Sequence, residues 1–338
     1  MRRDAAGRLD REPHGSTDDP ELLDFSANTN PAVPPGTEAA YRAAFDDARS
    51  YPAEPPADYR EAAASAVDCD PGAVVPTPGG LAAIRRTVAL AVEPGDSVLV
   101  PAPSFGEYAR EVRLQGGEPV FHPAETVTDA DPSDHALAVV CTPNNPTGTG
   151  YELTELEAFA RRCRAADTPL LADEAFLGFR DRPSLSGTDG VVVARALTKL
   201  YGLPGIRAGY AVATGELGEA LRGSRRTWNL GTPALAVGTH CLRQREFVRE
   251  TRDRVVDERA RLAAALSEWF DVVDSRAPFL TFDVGEQSVA DFVAATRERG
   301  VAVRDATTFR RLDSHVRVAV RRPAENDRLL EVVRAVRE

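Results

Sequence analysis

Of the 41 basic residues in this chain of 338, only Lys199 is lysine; all the others are arginine. Arginine replaces lysine as a surface cation, but its guanidinium stays protonated and cannot supply the neutral amine of a Schiff base. Lys199 is therefore a candidate for imine formation and proton transfer, the alternative being one lysine left by chance. It lies in Ala196-Leu-Thr198-Lys199-Leu-Tyr-Gly-Leu-Pro-Gly-Ile-Arg207-Ala-Gly-Tyr210, just past an apolar stretch and a short distance before an arginine. A lysine held in a cleft beside other cations has its ammonium form disfavoured, which frees the amine. Arg207 can hold a phosphate through paired hydrogen bonds.

Three further segments carry groups of the right kind. In Leu170-Leu-Ala-Asp173-Glu-Ala-Phe176 a carboxylate stands where an apolar strand runs out. An acid there is costly unless paired, and a protonated pyridine nitrogen would compensate Asp173, whereas capping or salt bridging is the alternative. Glu174 reads as its structural neighbour. Thr77-Pro-Gly79-Gly80-Leu-Ala-Ala-Ile84 sets two glycines before a helical stretch. Free N–H groups and the helix dipole can hold a phosphate there, although a plain turn has the same sequence. Thr142-Pro-Asn-Asn145-Pro-Thr-Gly148 is turn-rich and offers amide groups after another apolar strand.

These groups need a frame to converge. From about residue 70, short apolar runs (97–100, 136–141, 170–173, 191–195 and 208–213) alternate with stretches of helical spacing at 81–92, 108–115 and 153–165. That alternation predicts an α/β fold with a mostly parallel central sheet covered by helices. Helices are also expected over 37–49 and 58–67. A long amphipathic stretch over 244–269 precedes strands at 280–284, 301–304 and 316–320, with helices at 290–299 and from 325. This second part reads as a small α+β domain. The first 35 residues lack periodicity and read as an extended arm that belongs with the second half.

Composition limits the function classes. Acidic residues outnumber basic ones by 52 to 41 and the net charge is -11, which disfavours nucleic acid and anionic membranes as partners. No apolar run reaches the length of a membrane span, and no apolar segment follows the charges of Met1–Ala6, so a cytoplasmic protein is expected. The acidic, lysine-poor composition suits a salt-rich cytosol, with codon usage as the other explanation. Cys69, Cys141, Cys163 and Cys241 are far apart and the five histidines are scattered, so neither a disulfide framework nor a metal site is signalled.

The order Gly-Gly-helix, Pro-x-Phe, Asn-Asn-Pro-Thr-Gly, Asp-Glu-Ala-Phe, Leu-Thr-Lys and Arg-Val-Ala-Val resembles the fold type I pyridoxal-phosphate enzymes of the aminotransferase superfamily, over nearly the whole chain. Within it, His14-Gly15, Leu23-Asp-Phe-Ser-Ala-Asn28-Thr-Asn-Pro31, Phe105-Gly-Glu-Tyr108 and Arg317-Val-Ala-Val-Arg321 most resemble the threonine-phosphate decarboxylases of cobalamin synthesis. Histidinol-phosphate aminotransferases are second. The resemblance implies pyridoxal 5'-phosphate as cofactor and a homodimer with shared active sites. It also implies an arm and helix (1–49) joining the small domain, a large cofactor-binding domain (50–230) and a small C-terminal domain (231–338).

Carried onto this sequence, the family roles make Lys199 the imine-forming and proton-moving residue and Asp173 the partner of the pyridine nitrogen. Asn145 is implied to bond the cofactor's 3-oxygen and to border the substrate. Phe105 is implied to stack on the ring, and Gly79, Gly80, Thr198 and Arg207 to surround the phosphate. Tyr51 is implied to reach the phosphate from the other subunit, with turn structure or packing as the alternative for Tyr51 and Phe105. Arg304 and Arg317 are implied to clamp the anionic groups of a phosphorylated amino-acid substrate, and His14, Gly15 and Asn28 to complete that pocket; surface salt bridging is the alternative for the arginines. Ala196 departs from a hydroxyl residue common in the phosphate cup, and Phe176 from a tyrosine that touches the cofactor oxygen, which favours the decarboxylase-like subgroup. The expected reaction is loss of carbon dioxide from O-phospho-L-threonine, with transamination of histidinol phosphate or a related substrate as the alternative. A non-catalytic binding module on the same fold is the reading from another class.

Overall fold

The strands of the chain, in order, are β1 Leu23–Asp24, β2 Val74–Thr77, β3 Ser97–Ala102, β4 Glu118–Pro123, β5 Leu137–Cys141, β6 Leu170–Asp173, β7 Val191–Ala196, β8 Gly209–Val212, β9 Asp271–Val272, β10 Phe279–Asp283, β11 Val301–Ala302, β12 Arg304–Asp305 and β13 His315–Ala319. They are taken from a computed structural model that describes Gly7 and residues 9–337. Residues 1–6, on which the expectation about a leader rests, lie outside the described residues. Seven strands form one sheet in the order β2-β8-β7-β6-β5-β3-β4. Only β8 runs against its neighbours; every other pairing is parallel. All residues of β5 and β6 are buried, as parallel strands covered on both faces must be. One face packs under a cluster that includes Phe159, Phe179 and Tyr210, the other under Ile84, Val88 and Tyr108.

Two strands of this sheet escape the reading from periodicity, β2 (Val-Val-Pro-Thr) and β4 (Glu-Pro-Val-Phe-His-Pro). Both contain proline, which cannot donate to a ladder, and both are the sheet's outer strands, where that loss is tolerated.

The second sheet is antiparallel, β12-β13-β10-β9. The strand expected over 301–304 is divided: Val301 and Ala302 pair in parallel with Leu23 and Asp24, while Arg304 and Asp305 pair with β13. The arm is thus tied to the later half of the chain, and Phe25 is fully buried among Leu262, Phe282 and Phe292. Helix Thr232–Leu242 places Val237, Cys241 and Leu242 in the cluster that holds Tyr59, so apolar packing is continuous across residue 231.

Candidate active site

The carboxyl ends of β5, β6 and β7 lie side by side, with Cys141, Asp173 and Ala194 in register. Open α/β sheets bind ligands at that edge. A cavity of about 250 Å³ opens there, and Lys199, Asp173, Asn145 and Phe105 contribute to its wall.

Asp173 ends β6 and is buried. Burial raises its pKa, opposed by the Tyr108 hydroxyl, which donates to Oδ2 at 2.5 Å, and by the Ala175 N–H, which donates to Oδ1 at 3.0 Å. Tyr108 was not expected as a site residue. It lies in the first turn of helix Glu107–Gln115, its N–H donating to the Phe105 carbonyl at 3.2 Å, and the two rings meet edge to face at 5.6 Å. Glu174 turns elsewhere: it accepts from Ser184, from the Leu185 N–H and from Arg195.

Lys199 sits on the short helix Leu197–Leu200 that follows β7 directly. Its ammonium lies 5.9 Å over the Phe176 ring. Burial, then Arg317 and Arg207, hold its pKa down to about 8, against the pull of Asp173. A neutral amine is therefore available near neutrality.

Gly79 precedes helix Gly80–Ala91 with φ +89°, and a Cβ there would stand 2.7 Å from Arg207 Nη2. A Cβ on Gly80 would meet Ala196 Cβ at 3.1 Å, and one on Gly209 would meet backbone of Arg195, Gly79 and Gly80 within 2.8 Å. The cradle is closed by the absence of side chains. Gly80, Thr198 and Arg207 line the cavity; Gly79 lies behind its wall. This set of groups, an amine that can lose its proton, a buried carboxylate and an arginine at a helix start, fits a phosphorylated pyridine aldehyde.

The other end of the cavity is cationic. Arg304 and Arg317 are directly opposite in the β12–β13 register, so both side chains leave the same face. Both are buried, and neither forms an ion pair with a carboxylate among the described residues. Arg317 donates to Asn145 Oδ1 and, at 3.0 Å, to the Ser26 carbonyl; with its amide turned, Asn28 accepts from the same guanidinium at 3.2 Å. Arg304 donates to the carbonyls of Pro13 (2.9 Å) and His14 (3.3 Å) and to Thr308 (2.8 Å), while its Nε is buried without a partner. Burial lowers the pKa of both arginines, and for Arg317 the charge of Arg304 adds to it. Phe309, also unforeseen, presents its ring to both guanidiniums at 5.5 and 5.6 Å. The shortness of the Arg304 to Phe309 interval was the signal available.

His14 and Gly15 reach the cavity from the arm, and Gly15 is packed so closely that a Cβ would lie 2.3 Å from the Ser26 carbonyl oxygen. Tyr51 does not line this cavity; it is 76% exposed and stacked on Trp228 at 4.1 Å.

The model for aminotransferase classes I and II matches residues 20–333. Threonine-phosphate decarboxylase of Salmonella typhimurium is 30% identical over 94% of this chain and 91% of its own length. Histidinol-phosphate aminotransferase 1 of Archaeoglobus fulgidus is also 30% identical, over 93% of this chain and 99% of its own. The structure of histidinol-phosphate aminotransferase from Sinorhizobium meliloti in complex with pyridoxal-5'-phosphate superposes with a TM-score of 0.81 at 24% identity, covering 92% of this chain and 90% of that one. With the motif order, the mostly parallel sheet and a match that spans both halves, the chain belongs to the class I and II aminotransferase family of fold type I pyridoxal-phosphate enzymes.

Proposed function

We propose that this protein is a pyridoxal 5'-phosphate enzyme that decarboxylates O-phospho-L-threonine to (R)-1-amino-2-propanol phosphate for cobalamin synthesis. The observation that carries the reading is the pair of buried arginines, Arg304 and Arg317, facing each other with no carboxylate paired to either among the described residues. Like charges so placed disfavour the empty site, and a substrate with a carboxylate and a phosphate offsets both. His14 and Asn28 border the same space.

The cofactor, when bound, acts as a sink for the electron pair left when a bond to the substrate's α-carbon breaks. Lys199 is the residue that would hold it and that carries protons at Nζ; Asp173, oriented by Tyr108, would keep a proton on the ring nitrogen. Arg207, Thr198 and the Gly79-Gly80 helix start would bind its phosphate. Phe105 offers a ring face and Asn145, whose Oδ1 is taken by Arg317, has its NH₂ left to donate. Arg304 and Arg317 orient the substrate through its two anionic groups; the carboxylate leaves as carbon dioxide and one proton, moved by Lys199, takes its place. Residues 50–230 would form the cofactor-binding domain and 231–338 the smaller one, with the arm closing the site. Two subunits would share their sites, each lending Tyr51 to the other.

Transamination of histidinol phosphate or a related substrate is the second reading, carried by equal identity to a relative of that name. Purified protein with pyridoxal phosphate is offered O-phospho-L-threonine alone or histidinol phosphate with 2-oxoglutarate, and products are identified by mass spectrometry. Aminopropanol phosphate is expected from the first tube. Glutamate from the second, with nothing from the first, would overturn the decarboxylase reading.

A further inference from the structure

Glu12, Pro13, His14 and Gly15 line the cavity, and the stretch from Asp10 is held by its backbone. Arg110 donates to the Asp10 carbonyl at 3.0 Å, Arg304 to those of Pro13 and His14, and Gly15 rests on Ser26. The His14 side chain is left over half exposed beside the cavity, its ring 5.9 Å from that of Phe105. One carboxylate approaches it: Glu107 Oε1 lies 3.6 Å from His14 Nε2.

Glu107 is buried in the first turn of its helix, next to the Tyr108 that serves Asp173. It also faces Arg85 at 3.1 Å and Arg110 at 3.7 Å, and Glu111 faces the same two arginines at 2.6 and 3.6 Å. Glu107 and Glu111 thus share two guanidiniums, and the His14 ring, beside Glu107, borders the space lined by Arg304 and Arg317.

We propose that Glu107 is a positioning residue that holds the His14 ring, with its N–H donors, toward the phosphate group of the substrate and so selects phosphorylated over unphosphorylated substrates. The proposal rests on the reading of the site as one for a phosphorylated amino compound. It is tested with a double-mutant cycle on the holoenzyme. Glu107→Gln is expected to raise the KM for O-phospho-L-threonine about tenfold while kcat stays within about twofold. His14→Ala is expected to do the same, and the double variant to be no worse than His14→Ala alone. Any loss in turnover of L-threonine, which lacks the phosphate, is expected to be several-fold smaller than the loss with O-phospho-L-threonine in all three. An additive double variant, a loss confined to kcat, or an equal loss with L-threonine would overturn the proposal. If the wild-type protein transaminates histidinol phosphate instead, the decarboxylase reading fails separately, and the cycle is run with histidinol phosphate against histidinol. If Glu107→Gln does not fold, Glu107→Asp keeps the charge facing Arg85 and Arg110, and the same outcomes apply.

Discussion

At the scale of single residues, two buried groups of opposite charge line the cavity, and each has a measurable signature. Burial pushes Asp173 toward the protonated acid, and the Tyr108 hydroxyl resists that push. Tyr108→Phe removes the donor, so the carboxyl is held less firmly as an anion. Turnover is expected to fall about tenfold and stability by about 1–3 kcal/mol, checked by kcat and by denaturant unfolding. Lys199 has the reverse sign: burial and two arginines favour loss of its proton, down to about 8. Uptake of cofactor by the apoprotein needs the neutral amine, so its rate should climb with pH, roughly tenfold per unit well below 8, and level off above it. Stopped-flow absorbance measures this. A rate still climbing at about pH 10 would mean an amine with the ordinary lysine value.

At the scale of elements, chain turns at strand ends do the positioning. The helix start at Gly79-Gly80 brings N–H groups to one end of the cavity, and the β12–β13 register brings two arginines to the other. Gly79 combines a left-handed φ with a Cβ position 2.7 Å from Arg207. Gly79→Ala therefore strains the turn and displaces that guanidinium at once. Cofactor affinity is expected to drop about tenfold or more, by equilibrium dialysis, with a smaller effect on the melting temperature. This element was legible beforehand because two glycines precede an amphipathic run. The β12–β13 register was not legible, since periodicity assigns each strand a face but not a partner. The strand expected over 301–304 changes partner at Val303, which no pattern within those residues announces.

At the scale of the whole molecule, one surface is unlike the rest. Phe45 and Tyr51 are 73% and 76% exposed, and Trp228 is about half exposed beneath Tyr51. Under the stacked pair, Arg225 grips Glu54, which also accepts from the Trp228 N–H at 2.7 Å. The carboxylate draws Arg225 inward from solvent. A rigid, exposed aromatic pair is what a shared site would require of Tyr51. Lys199→Ala and Tyr51→Ala proteins are each expected to be impaired. A mixture allowed to exchange subunits should regain activity, because in the proposed shared-site dimer a hybrid would have one site with both groups intact. Activity assays on the mixed and separate proteins decide this; no recovery would place Tyr51 and Lys199 in service of the same chain or of none. Among the described residues, no helix is long and apolar enough to cross a membrane.

Sequence by itself determined the chemical parts. A unique lysine, an acid at a strand end, paired glycines before a helix and an arginine after the lysine are statements of residue type and spacing, and chemistry depends on type. The alternation of apolar runs likewise determined the parallel sheet, because strands buried on both faces must be apolar throughout. Tertiary structure decided which parts meet. Tyr108 on Asp173, Glu107 beside His14, and Arg304 opposite Arg317 each join residues from separate elements. Tertiary structure also decided that proline-bearing β2 and β4 are strands, since their places at the two edges of the sheet make a missing donor tolerable. Local pattern carries period and propensity; distance between elements, and the burial that shifts a proton, exist only once the chain has closed on itself.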